Sequence, residues 1–368
     1  MWQEDLARNI KTADEIVGRL GASEKDAELI GKVCARYPVS VTEYYFDLIN
    51  PDDPDDPISR IALPHIEELE ESGEIYSGGE DVNTKIPGLQ HKYGSTALLL
   101  TSDVCACYCR FCFRKRMVGM SESEACNDLS AACEYIARHP EINNVILSGG
   151  DGLMNSNDVL RHNFEMLGKL DQLEFIRIAS RTPVVFPQRI YDDPELLDML
   201  AEVAKRRQVY MVTHFNHHRE FTPESKRAID CLKKAGIALR NQTVLLAGVN
   251  DSFDALRRTL MGLANWGISP YYVFQCRPVR GVHGIFQVPL RSGIDLVETV
   301  KGSLPGISKQ FRFVMSHGMG KIEILGLVGN GNTALFKFHR AKEPENNGLI
   351  FTEPIDDQQT WITIDGMV

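Results

Sequence analysis

The spacing of apolar positions along the chain changes once. Up to about residue 50, Leu6, Ile10, Ile16, Leu20 and Ile30 recur on helical faces, and Thr12 stands where a helix start needs a side-chain acceptor. Residues 51–57 then bring together four aspartates and three prolines, which predicts a loop or linker. From Lys92 onward, short runs rich in β-branched and apolar residues alternate with amphipathic stretches. Strands are predicted at 97–101, 144–147, 175–179, 209–213, 242–246 and 271–275, with helices at 128–137, 195–204, 224–235 and 253–266 between them. Repeated βα units of this kind predict an α/β fold, a partial (β/α)6 TIM-like barrel with a helical N-terminal extension. Period-2 patterning at 333–338 and 349–352 adds short strands in a C-terminal lid or edge segment. The expected division is a helical region and linker over 1–90, the barrel over 91–310 and the C-terminal segment over 311–368.

Parallel barrels carry their chemistry on the loops after the strands. The predicted strand ends obey that rule. The first is followed by a crowd of cysteines and the second by Ser148-Gly149-Gly150-Asp151. The third is followed by Ser180-Arg181-Thr182-Pro183 and the fourth by His214-Phe215-Asn216-His217. The fifth strand opens on Asn241-Gln242, and the sixth ends at Gln275-Cys276-Arg277.

Composition narrows the function classes. A net charge of −10 opposes broad contact with nucleic acid, whose phosphates the surface would repel. Small-molecule chemistry is the better expectation. No apolar run reaches the length of a membrane span, and the first thirty residues lack the pattern of a secretory signal, so a cytoplasmic protein is expected. Nine cysteines, an odd number, do not read as a disulfide framework in a chain of 368 residues. Cys34, Cys126, Cys133, Cys231 and Cys276 are dispersed and read as small buried hydrophobes.

Cys105, Cys109 and Cys112 are different. Three residues, then two, separate them after the first predicted strand. Three thiolates on a [4Fe–4S] cube leave one iron open for another ligand. Zinc would need a fourth ligand, and no second cysteine pair or nearby His-x3-5-His supplies one. Cys107, between two of the three, reads as a packing residue. Arg110, Arg114, Lys115 and Arg116 form a basic cluster beside them, which in an acidic chain reads as a local anion pocket.

The run Cys-Ala-Cys-Tyr-Cys-Arg-Phe-Cys from Cys105 resembles the cluster loop of radical S-adenosylmethionine enzymes, and Ser148-Gly149-Gly150-Asp151 stands where those enzymes contact the nucleotide's methionyl group. A longer resemblance covers residues 87–321. Pro87-Gly88-Leu89 with His91 and Tyr93, Ser180-Arg181-Thr182-Pro183-Val184-Val185, Thr213-His214-Phe215-Asn216-His217, Asn241-Gln242 and Pro270-Tyr271-Tyr272 together resemble the lysine 2,3-aminomutase family. That resemblance implies a radical SAM-type barrel in which a 5′-deoxyadenosyl radical takes a hydrogen from the β-carbon and pyridoxal 5′-phosphate carries the amino group from C2 to C3. It also implies a small amino-acid substrate, an electron donor such as flavodoxin or ferredoxin, and self-association. Residue by residue it implies the cofactor lysine at Lys321, phosphate contacts at Lys92 and Gln242, and the substrate carboxylate on Arg114. Ser180 and His214 fall near the nucleotide, and the glycine beside Lys321 would let the cofactor approach.

The chain departs from the family's pattern in four places. The lysine-specific members grip the distant ammonium with two aspartates; here Arg277 stands at the first, and Ser316 or His317 is nearest the second. An arginine repels an ammonium and attracts a carboxylate, so the expected substrate has an acidic or neutral polar side chain, glutamate first, with Arg277 selecting it. Thr96 replaces an arginine that contacts pyridoxal, and the loop before Lys321 is shorter. The zinc-binding cysteines of some relatives are missing, with Ser252 at one position, so no structural zinc is expected. Three rival readings stay open: a pyridoxal-independent radical dehydrogenase or epimerase, a mutase acting on free or protein-bound lysine, and a non-catalytic iron–sulfur protein.

Overall fold

The computed structural model describes residues 2–21, 23–120, 123–329 and 331–364. Twelve strands join in one sheet whose spatial order follows the chain. A hairpin of β1 (Thr84–Ile86) and β2 (Leu89–Tyr93) lies antiparallel on β3 (Thr96–Ser102). Then come the parallel strands β4 (Asn144–Gly149), β5 (Phe175–Ala179), β6 (Gln208–Thr213), β7 (Ala238–Leu245) and β8 (Ser269–Gln275). The parallel run continues into β9 (Arg312–His317). The antiparallel strands β10 (Gly320–Val328), β11 (Thr333–Ala341) and β12 (Ile350–Pro354) close the order.

Each of the six barrel strands expected from the sequence is present. The fifth starts four residues before its expected position, because the alternation that buries Leu239, Asn241 and Thr243 already holds at Ala238 and Arg240. Helices Leu129–Ala137, Asn157–Gly168, Pro194–Arg206, Pro223–Lys234 and Phe253–Asn265 link successive parallel strands. Their starts are capped by Asp128, Ser156, Asp193, Thr222 and Ser252, whose side chains each accept a backbone N–H of the first turn.

The two margins of the sheet meet through side chains. Lys92 Nζ on β2 donates to His317 O on β9 at 2.5 Å, and Arg340 Nη2 on β11 donates to Thr96 Oγ1 at 2.7 Å. The sheet therefore curls into a partial barrel with a cavity inside.

The N-terminal helices Trp2–Ala7, Ala13–Leu20 and Glu24–Arg36 form as the pattern predicts, and Thr12 and Glu15 make a capping box. Residues 51–56 run as turns that end at buried Asp56, which caps the helix Pro57–Ala62 and pairs with Arg219 of the barrel.

Candidate active site

One cavity of ≈ 360 Å³ opens among the strand ends, lined by the three cysteines and by each residue expected to contact cofactor or substrate except His317. The basic cluster expected as an anion pocket is corrected: Arg110 and Lys115 pair with buried Glu68 and Arg116 with Glu124, which leaves Arg114 alone facing the cavity without an acid partner among the described residues. The cavity's upper wall is the cysteine loop after β3. Cys105, Cys109 and Cys112 face it together with Ser148, Gly149 and Gly150 from the end of β4. The two glycines are there because the backbone is close: a Cβ on Gly149 would run into Ser102 O, and one on Gly150 into Val104 O. Gly149 also has φ 114°, which favours glycine.

Asp151 plays a local part. Its Oδ1 accepts Ser180 Oγ at 2.6 Å, Thr182 Oγ1 at 3.0 Å and Leu153 N at 2.9 Å, while Oδ2 accepts Arg181 N at 2.7 Å and Thr182 N at 3.1 Å. Both oxygens are spent on fixing the loop after β5. That loop carries Arg181, whose Nη1 lies 2.9 Å from Cys109 Sγ and whose Nη2 reaches Glu220 at 2.5 Å and Tyr45 Oη at 2.7 Å. Arg181 thus ties the cysteine loop to the end of β6. His214, beside it, sits edge-on to Phe111 at 5.5 Å, and burial followed by Arg181's charge holds its imidazole neutral, with a pKa of about 3.

Lower in the cavity lies Lys321, on β10. It is a strand residue whose amine faces inward, 4.6 Å from the Phe274 ring and 5.2 Å from that of Tyr272. Burial, then Arg277, Lys92, Arg340 and Arg177, drives its pKa far below the ordinary lysine range. These surroundings favour the neutral amine, the form that attacks a carbonyl. At Gly320 a Cβ would run into Arg340 O of the neighbouring strand.

Arg114 Nη1 donates to Ser148 Oγ at 3.2 Å and its Nε is buried without a partner. Phe113 lies 4.5 Å from the Arg114 guanidinium and 4.3 Å from that of Arg277. Arg277 does not stand free as a lone selector. Its Nη1 pairs with Glu80 at 2.6 Å and its Nη2 donates to Ser316 Oγ at 2.9 Å. Lys92, held by Gly78 O at 3.0 Å and His317 O, is drawn down to a pKa of about 7 by burial and by Arg277. Gln242 lines the opposite wall, at a register shift between β7 and β8.

Three residues of this wall escaped the sequence reading: Glu80, Arg177 and Arg340. Glu80 lies in the four-residue helix Glu80–Asn83, and Arg340 on a C-terminal strand; neither follows a barrel strand. Arg177 points inward from mid-strand, and its place in the period-2 alternation was the one available signal.

Comparison with known proteins bears directly on this cavity. A family model described as the Radical SAM superfamily matches residues 99–260. A chain of Aquifex aeolicus with a provisional L-lysine 2,3-aminomutase name is 42% identical over 342 residues, covering 92% of this chain and 90% of its own. The L-lysine 2,3-aminomutase of Clostridium subterminale is 36% identical over 308 residues, covering 83% of this chain and 73% of its own. This chain belongs to the lysine 2,3-aminomutase family of radical SAM enzymes. The glutamate 2,3-aminomutase of Clostridioides difficile is 32% identical over 309 residues, covering 83% of this chain and 71% of its own.

Membership in the lysine 2,3-aminomutase family makes the protein an isomerase-type 2,3-aminomutase and implies S-adenosylmethionine and a [4Fe–4S] cluster. The residues present fit that group. Among the described residues no three His, Cys, Asp or Glu side chains converge as they would on a single metal ion. Cys105, Cys109 and Cys112 all line the one cavity as free thiols, one for each of three irons of a cube. The cavity also awaits anions. Lys92, Arg114, Arg177, Lys321 and Arg340 line it without an ion pair to a carboxylate among the described residues, and the Nε atoms of Arg114 and Arg177 are buried and unpartnered.

Among the described residues no helix is long and apolar enough to cross a membrane.

Proposed function

We propose that this enzyme holds its cluster on Cys105, Cys109 and Cys112, carries pyridoxal 5′-phosphate on Lys321, and shifts the α-amino group of an amino acid whose side chain is polar and not cationic, acidic in the first place. The substrate is a free small molecule.

The carrying observation is the charge of the cavity. Its lining holds two carboxylates, Glu80 and Asp151, and both are already committed, to Arg277 and to the Ser180–Thr182 loop. A lysine ammonium entering here would meet Lys92, Arg277 and Lys321 with no acid free to receive it, and an unmatched buried charge costs several kcal/mol.

Pyridoxal phosphate bound at Lys321 supplies an extended π-system that stabilises a radical and the migrating nitrogen. The chain's own residues do the rest. Burial first, and then the cations around it, disfavour the charged form of Lys321. Arg114 offers a planar fork to the substrate carboxylate, backed by Ser148. Phe113 spaces that fork from Arg277, which keeps its pair with Glu80 and turns its remaining N–H donors to the far end of the side chain. His214, neutral and packed on Phe111, lines the nucleotide side of the cavity without adding charge. Burial of these groups excludes water from the reacting centre.

A substrate screen under anaerobic conditions with β-amino-acid products measured by mass spectrometry tests this. Glutamate, aspartate or glutamine should turn over, lysine should not, and Arg277→Ala should raise KM for the acidic substrate at least tenfold. Turnover of lysine alone, unaffected by Arg277→Ala, overturns the substrate assignment.

A further inference from the structure

Two guanidinium groups meet at one neutral hydroxyl in the cavity wall. Arg177, on β5, donates from Nη2 to Asn144 Oδ1 at 2.5 Å and approaches Thr96 Oγ1 at 3.4 Å. Arg340, on β11, donates from Nη2 to the same Thr96 Oγ1 at 2.7 Å and to Ser95 Oγ at 2.8 Å. Both face the cavity, neither has an ion pair to a carboxylate among the described residues, and Arg177 Nε is buried without any partner. Like charges brought together away from water raise the energy of the empty site and lower that of any site holding an anion between them. Two planar forks are also the donor arrangement that a phosphate's several oxygens accept.

Position ties this pair to Lys321. In the ladder of β10 and β11, Lys321 and Arg340 are direct cross-strand partners. Facing residues on one side of an antiparallel pair have Cβ atoms roughly 5 Å apart. On the other flank Lys321 pairs with Ser316, the residue that holds Arg277. The lysine therefore stands between an anion seat at Arg340 and the substrate-facing end at Arg277. In pyridoxal phosphate the phosphate-bearing methylene neighbours the aldehyde carbon on the ring, so a phosphate beside the reactive amine is what the molecule requires.

Lys92, the phosphate contact implied by the resemblance, is placed less well. Its amine is spent on two backbone carbonyls at the seam, Gly78 O and His317 O.

We infer that Arg177 and Arg340 together form the seat for the phosphate of the cofactor carried on Lys321, Arg340 standing in from the C-terminal strand where Thr96 offers only a hydroxyl. This rests on the reading that pyridoxal phosphate is carried on Lys321. Arg340 also closes the barrel seam, so a purely structural role has to be separated from phosphate binding.

The discriminating quantity is the ratio of affinities for pyridoxal phosphate and for pyridoxal, followed by the absorbance of the lysine-bound chromophore in cluster-containing protein. Wild type should prefer the phosphate ester strongly. Arg340→Met and Arg177→Met should each lose at least tenfold of pyridoxal phosphate affinity with pyridoxal affinity within twofold, and Arg340→Lys should recover part of the loss. Should the methionine variants fail to fold, inorganic phosphate added to wild type should weaken binding of pyridoxal phosphate and leave pyridoxal unaffected. An unchanged ratio in both arginine variants, or a ratio that collapses only in Lys92→Met, overturns the seat while leaving the cofactor on Lys321. Absence of any chromophore on Lys321 in wild type removes the cofactor reading, and the seat with it.

Discussion

A lysine amine titrates ordinarily at 10.5, and burial, then Arg277, bring that of Lys92 to about 7. Between those values the unfolded chain holds a proton that the folded chain has released, so stability rises with pH across that window. The cost of burying Lys92 is present in full below pH 7 and has gone by 10.5. Lys92→Met should therefore be the more stable protein at pH 7, by on the order of 2 kcal/mol after its lost hydrogen bonds are taken off. Near pH 10, where the burial cost has almost gone and only the lost hydrogen bonds remain, the advantage should disappear and wild type should be the more stable protein. Urea unfolding at the two pH values checks it, and an advantage that does not change with pH contradicts the titration. At this scale the sequence was a good guide wherever a residue followed a strand, as Arg114, His214 and Arg277 do. It was silent on Glu80, since nothing in a four-residue helix just before the first short strand announces that its acid will meet an arginine 197 positions later.

Among elements, the cysteine loop is held chiefly by the region that precedes the barrel. Asn9 Nδ2 donates to Ala106 O at 2.7 Å, Tyr108 N to Ser40 O at 2.9 Å, and Arg110 N to Ile61 O at 2.9 Å. At the base, the short helix Ile66–Leu69 presents Glu68, fully buried, to Arg110 and to Lys115 at 2.7 Å. Burial works against the Glu68 charge, yet the two cations hold its carboxyl below the ordinary range. Removing one side of such a buried group costs roughly 3–5 kcal/mol. Glu68→Gln should lower stability by a large part of that and reduce iron retained after anaerobic gel filtration, while Glu71→Gln, at the exposed surface, should do neither. Equal iron in the two variants would show that the grip on the loop is unimportant. The pattern of apolar positions located the helices of this region but not their purpose, because hydrogen bonds to loop carbonyls leave no trace in hydrophobic periodicity.

For the molecule as a whole, six predicted strands were enough to give the barrel its order, since a parallel run with a helix between neighbours has few ways to wind. What the pattern could not show is closure. The sheet's margins are joined by Lys92 to His317 and by Arg340 to Thr96, contacts between residues more than two hundred positions apart. Closure is also what brings Lys321 of the C-terminal strands under the cysteine loop, into one cavity with Arg114 and Arg277. We propose that this shared cavity joins radical generation to a carbonyl cofactor on Lys321. Borohydride reduction of the cluster-reconstituted enzyme after incubation with pyridoxal phosphate, followed by peptide mass spectrometry, tests it most directly. A pyridoxyl group on Lys321, absent in Lys321→Ala, is the expected result. A modified lysine elsewhere, or none beside an intact cluster, would contradict the account and leave a radical enzyme that works without pyridoxal.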